Sequence, residues 1–279
     1  MTALSVASMR TDGYAVMPYP ENIDPRLDKV MRTWGSFRVL PQEVQNRFQY
    51  LPDNLVGNSG SGYEPPSPEK FDARKHTFHA KLRDREWLRE MAAEVHPLAI
   101  TLVEETLLLL EEMTLELVPF ADAFEEEFGV PGFKKNLVEG FDQCILRLLD
   151  YPPGYDVGET IAKQHCDKGG GTLHLRESCS GVERFTFDRE WVDFPVGEGQ
   201  AVVFAGLRMQ HLTECELKAL CHQVKANAET AARGRHAAVL FLNFEGTPYY
   251  DKGKQKSTQT KPAGFNYAMS AEEFNRLFA

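Results

Sequence analysis

No two cysteines in this chain are spaced as a CxxC pair, and their number is odd: Cys144, Cys166, Cys179, Cys215 and Cys221. That excludes a disulfide framework and points to a reduced, cytoplasmic protein. Long apolar runs are also missing. The most hydrophobic stretch, AITLVEETLLLLEEMTLELV, is broken by Glu104, Glu105, Glu111 and Glu112, whereas crossing a bilayer takes about 20 mostly apolar residues. The first twenty residues hold no apolar segment suited to a signal peptide. Positive charge is scarce, with 31 Lys and Arg against 41 Asp and Glu and a net charge of -10, which disfavours a nucleic-acid binder. Neither internal repeats nor low-complexity linkers occur, so a single domain over residues 1–279 is expected.

What is present falls into two textures. Residues 24–50 place Leu27, Val30, Met31, Trp34 and Phe37 near helical spacing. A Gly/Pro/Asn/Ser-rich loop is expected over 51–66. The stretch from DREWLREM to FEEEFG then reads as long helix, broken near Pro97. Residues 1–130 are thus expected to be mainly helical. From about 131 to 250 short β-prone runs (CILRLLDY, GTLHLRES, QAVVFAG, AAVLFLNF) alternate with Gly, Pro and charged turns, as in a sandwich, jelly roll or barrel. Residues 251–279 read as a loop and a short helix. The fold class is α+β.

Chemistry concentrates in QHCDKGGGTLHLRES. On an extended strand residues i and i+2 share a face, so His165 and Asp167 present an imidazole and a carboxylate together while Cys166 turns away. They supply two of the three ligands of a 2-His-1-carboxylate facial triad, an arrangement suited to non-haem Fe(II); zinc accepts the same donors. The third must come from another strand, with His211 and His222 as candidates. Arg235 opens the apolar run RHAAVLFLNF, and a guanidinium there is costly to desolvate unless it meets an anion. Tyr151, before two prolines, could offer a phenol to a ligand. Arg147 reads as a strand residue, either structural or lining the pocket, and His76 and His79 as surface or interface histidines. No helix start follows the three glycines, so they are not expected to cradle phosphate; they allow a tight turn beside a crowded site.

In this order the segments resemble the isopenicillin N synthase-like branch of the Fe(II)/2-oxoglutarate dioxygenases. LRLLDYPPG is similar to the strand before the metal motif, HCDKGGGTLHL to the His-x-Asp strand, GEGQAVVFAGLRMQHLTECELKALCHQV to the segment carrying the second histidine, and RHAAVLFLNF to the final Arg-x-Ser strand. GSFRVLPQEVQNRF, GYEPP and FDARKHTF are similar to the helical prologue of that family. The resemblance implies a double-stranded β-helix (jelly-roll) core over 131–250 with the helical N-terminal half packed against it. It implies Fe(II) bound by His165, Asp167 and His222, with His211 in a turn, and 2-oxoglutarate held by Arg235 with Tyr151 beside it; Arg233 is the other possible register. The implied activity is oxidation of a small molecule with O2 by hydroxylation, desaturation or cyclisation. The family's Arg-x-Ser is Arg235-His236-Ala237 here, so a hydroxyl is missing at the co-substrate end. That departure leaves room for an iron oxidase binding its substrate's own carboxylate; a non-catalytic metal-binding β-helix protein is the reading from another class.

Overall fold

The computed structural model describes residues 6–243 apart from 49, 54–57, 68–71, 73, 168, 187, 195 and 214–215. The expected C-terminal loop and helix of 251–279 lie outside the described residues. The helices are α1 (Ser8–Thr11), α2 (Ile23–Arg38), α3 (Gln42–Arg47), α4 (Arg85–Val95), α5 (Pro97–Phe128), α6 (Phe133–Glu139), α7 (Leu207–Leu212) and α8 (Ala228–Arg233). The strands are β1 (Tyr14–Pro18), β2 (Leu51–Asp53), β3 (Asn58–Glu64), β4 (His76–Ala80), β5 (Ile145–Tyr151), β6 (Thr160–Cys166), β7 (Gly171–Glu177), β8 (Val182–Phe185), β9 (Trp191–Asp193), β10 (Gln200–Ala205), β11 (Cys221–Lys225) and β12 (Arg235–Leu242).

The helical front half forms as its spacing predicts. On α2, Leu27, Val30, Trp34 and Phe37 are buried on one stripe, and the Trp34 indole donates to the Leu149 carbonyl at 3.3 Å. The break near Pro97 is a true boundary: α4 ends at Val95, His96 Nδ1 accepts the Leu98 amide at 3.1 Å, and Pro97 takes the first helical position, where its missing N–H costs nothing. Gly129, at φ 58°, stops α5 in the left-handed conformation that glycine adopts most cheaply.

Two sheets face each other. The larger has the order β1-β10-β7-β12-β5-β4-β3-β2, the smaller β6-β11-β8-β9, and the paired strands run antiparallel. From β5 onward the chain passes back and forth between them in the jelly-roll manner, with β5, β7, β10 and β12 in the larger sheet and β6, β8, β9 and β11 in the smaller. Period-2 alternation gives the large sheet two different faces. Leu146, Leu148, Leu173, Leu175, Ala201, Val203, Ala238 and Leu240 join the core shared with α2, α4 and α5. Tyr151, Val202 and Phe204 instead join Ile161, Phe194 and Val224 in a second core between the sheets.

Three expectations about the front half need correction. The Gly/Pro-rich stretch 51–66 is not simply loop, since it carries β2 and β3; small residues can pair when a sheet edge is already there to receive them. HTF of that segment lies in a strand, β4, paired with β5 from His76↔Asp150 to Ala80↔Leu146, so the prologue lends strands as well as helices. His76 and His79 are not surface residues: they are buried in β4 between β3 and β5.

Candidate metal centre

β6 and β11 pair directly, with His222 opposite His165 and Cys221 opposite Cys166. The cross-strand neighbours put the two imidazoles side by side, 4.3 Å between ring centroids. Asp167 follows β6 by one residue. Its Oδ1 lies 3.7 Å from His165 Nε2 and its Oδ2 3.9 Å from His222 Nε2. One donor atom from each of the three residues falls within 4.8 Å of the others. Among the described residues this is the cluster of His, Cys, Asp and Glu spaced to hold a metal ion.

The orientation of the rings has a local cause. His165 Nδ1 contacts the Lys163 carbonyl at 2.6 Å, and His222 Nδ1 the Leu220 carbonyl at 3.1 Å. Each Nδ1–H donated to a backbone carbonyl leaves the Nε2 lone pair facing the cluster, the tautomer a metal requires. Phe204 packs edge-on against His222 at 5.1 Å. Asp167 Oδ2 accepts from Thr172 Oγ1 at 2.5 Å. Burial pushes the Asp167 carboxyl up, but His222, His165, the Thr172 hydroxyl and Arg147 together hold it below the usual carboxylate range. The donor set, two imidazoles with Nε2 facing inward and a carboxylate, therefore fits a divalent cation.

The loop bearing Asp167 is backed by close main-chain packing. Leu207 N donates to the Asp167 carbonyl at 2.8 Å and Arg208 N to the Gly169 carbonyl at 3.1 Å. A Cβ at Gly206 would lie 3.0 Å from the Asp167 carbonyl and overlap that of Gly169. Gly171 opens β7, so a strand, not a helix start, follows the triple glycine.

Arg235 starts β12 opposite Tyr151 on β5, its guanidinium 5.9 Å from the Tyr151 ring, and is 1% exposed. It already holds a carboxylate: Nη2 donates to Glu177 Oε2 at 2.5 Å, and Nε to the Cys179 carbonyl at 3.2 Å. Ala237, at the family's serine position, sits opposite Glu177. Arg233 ends the exposed helix α8 and pairs with Glu229, so a helix fills much of the stretch between β11 and Arg235. His211 lies in α7. Arg147 is buried on the inter-sheet face of β5, above the Phe241 ring at 4.5 Å. Burial lowers its pKa against the pull of Asp167 and Glu64, and its place on the inter-sheet face suits the pocket-lining alternative.

Sequence reasoning missed Thr172, His174 and Glu177 on β7. The first two share a face by simple alternation in TLHL and were legible in principle. Glu177 was not. Val239 faces His174 while Ala238 faces Arg176, so Leu175 is an extra residue, a β-bulge. After it the alternation inverts: Arg176 turns outward to Asp24 and Asp28, and Glu177 turns inward to Arg235.

No protein-family model matches the chain. It is 29% identical over 145 residues to 1-aminocyclopropane-1-carboxylate oxidase 1 of Oryza sativa subsp. japonica, an alignment covering 52% of this chain and 41% of that protein. The chain thus spans less than half the length of that curated relative. A full-length Neurospora crassa protein solved in complex with alpha-KG superposes with a TM-score of 0.72 at 16% identity, covering 98% of this chain and 89% of that one. The rice dioxygenase for auxin oxidation gives 0.66 at 21% identity over 97% and 86%. JOX2, solved with 2OG, Fe and JA, gives 0.69 at 16% over 98% and 79%. By its two sheets, their strand order and these likenesses, the chain has the jelly-roll fold of the Fe(II)/2-oxoglutarate oxygenases and resembles their isopenicillin N synthase-like branch.

Proposed function

We propose that the chain is a non-haem Fe(II)- and 2-oxoglutarate-dependent oxygenase that oxidises a small-molecule substrate with O2 by hydroxylation, desaturation or cyclisation. The observation that carries this reading is the His165–Asp167–His222 cluster, with both rings turned by backbone carbonyls so that Nε2 faces inward. His165, Asp167 and His222 would hold the iron on one face and leave the opposite face open. Arg235, with Tyr151 beside it, would hold the distal carboxylate of the co-substrate. The carboxylate of Glu177 seated on that guanidinium supports this role, since it is a group of the same chemistry. When bound, iron and the 2-oxo acid supply O2 activation coupled to oxidative decarboxylation.

The chain's own part is orientation and exclusion. Thr172 and the Leu207 amide fix Asp167; Phe204 fixes His222. The apolar lining of Ile161, Phe194, Val202 and Val224 keeps bulk water from the space between the sheets. Among the described residues no helix is long and apolar enough to cross a membrane. Among the described residues Cys144, Cys166, Cys179 and Cys221 are buried free thiols, which suits a reducing cytoplasm, and the charge of -10 suits small-molecule rather than nucleic-acid partners.

Adding 2-oxoglutarate to the Fe(II) protein without oxygen should produce the weak visible absorption of an iron chelate, and admitting air should release succinate. Absence of both would defeat this reading.

A further inference from the structure

Along the inter-sheet face of β7, three side chains lie between the candidate metal centre and Arg235. Thr172 is hydrogen-bonded to Asp167, His174 comes next, and Glu177 is bound to Arg235. Glu177 is there because of the bulge at Leu175; without the extra residue its side chain would face the helices. The contact is well built. Side-chain exposure is 1% for Arg235 and 9% for Glu177, Nη2–Oε2 is 2.5 Å, and the Arg235 Nε is fixed by the Cys179 carbonyl. Charge-assisted hydrogen bonds of this kind are strong when desolvated.

Among the described residues, Arg235 is the cation that answers Glu177. Ala237, opposite Glu177, contributes only a methyl group. His174 Nε2 is buried without a hydrogen-bond partner, 3.7 Å from the same Glu177 oxygen, and burial holds the ring in its neutral form. A carboxylate arriving at Arg235 therefore meets a guanidinium whose charge is already matched, with a like charge beside it.

We propose that Glu177 sets co-substrate specificity: its carboxylate competes at Arg235 with the distal carboxylate of a bound 2-oxo acid and so reduces the advantage of 2-oxoglutarate over 2-oxo acids with an uncharged tail. The inference rests on the oxygenase reading above and concerns affinity rather than the reaction. Glu177 and Arg235 act as a positioning pair.

The test compares 2-oxoglutarate with 2-oxopentanoate, which has the same 2-oxo acid head and a methyl group in place of the distal carboxylate. Binding of each to the Fe(II) protein is measured by anaerobic calorimetry, in wild type and in Glu177→Gln, which keeps the side chain's shape and an acceptor for Arg235 without the charge. In wild type, 2-oxoglutarate should bind less than about tenfold more tightly than 2-oxopentanoate, since a full charge-assisted pair is offset. In Glu177→Gln that preference should widen by roughly tenfold or more, through tighter 2-oxoglutarate binding alone. A wild-type preference of about a hundredfold or more would overturn the proposal without any variant. So would an unchanged preference in Glu177→Gln, or an equal gain for both acids, which is what general loosening would give. Failure of both acids to bind either iron-loaded form would instead sink the oxygenase reading and this inference with it.

Discussion

Each imidazole of the candidate metal centre is aimed by a local hydrogen bond, Nδ1 to the carbonyl two residues earlier. Such bonds cost little sequence and fix the tautomer. The ligands themselves should then be separable from the fold. His222→Ala is expected to abolish retention of Fe(II) after desalting while the circular dichroism spectrum stays unchanged; retained stoichiometric iron would show that the third donor is another residue. Thr172→Val removes the hydroxyl on Asp167 Oδ2. Loss of an outer partner of a metal ligand typically costs about ten- to a hundredfold in metal affinity, and chelator competition should read a loss of that size. At this scale the pair His165 and Asp167 was legible, because a spacing of two on a strand is a local fact. His222 was not separable from His211 by local reasoning.

At the scale of elements, α2 braces the sheet from behind. Trp34 is fully buried, packs on Phe37 at 6.0 Å and reaches the β5 backbone at Leu149. Trp34→Ala should cost about 3–5 kcal/mol, the range for deleting a buried aromatic, read from urea unfolding. A loss below about 1 kcal/mol would mean that α2 repacks freely over the sheet. The turn at Gly206 has the opposite character, since the limit there is backbone contact. Gly206→Ala should displace the loop of Asp167 and weaken iron binding more than it lowers the unfolding temperature; an unchanged iron affinity would show that the loop shifts without moving the carboxylate. Helices α2, α4 and α5 were legible from periodicity and from His96-Pro97. The strands β2 to β4 were not, because Gly, Ser and His have little strand preference and pair only because β5 offers an edge to which β4, then β3 and β2, are added. Nor does any local signal announce the bulge at Leu175, which depends on the register of β7 against β12.

Across the whole molecule, the buried histidines His76 and His174 make the fold sensitive to acid. Burial, with Arg38 near His76 and with Arg235 and His222 near His174, lowers both rings from 6.5 to about 3. As pH falls below 6.5 the unfolded chain takes up protons that the folded chain refuses until about 3, so stability is complete above that range and is lost on acidification through it. Urea unfolding at pH 7 and pH 5 should show the fall, and His174→Leu should flatten it; an unaltered pH slope in that variant would show that His174 titrates freely. The sequence alone determined the amphipathic helices, the alternating strands and the side-by-side placement of His165 and Asp167, because each depends on residues within a few positions of one another. Only the tertiary structure decided that β11 brings His222 opposite His165, that His76 and His79 are buried, and that Arg235 meets Glu177. Those outcomes turn on which strands pair and in what register, and a shift of one residue sends every later side chain to the other face of the sheet.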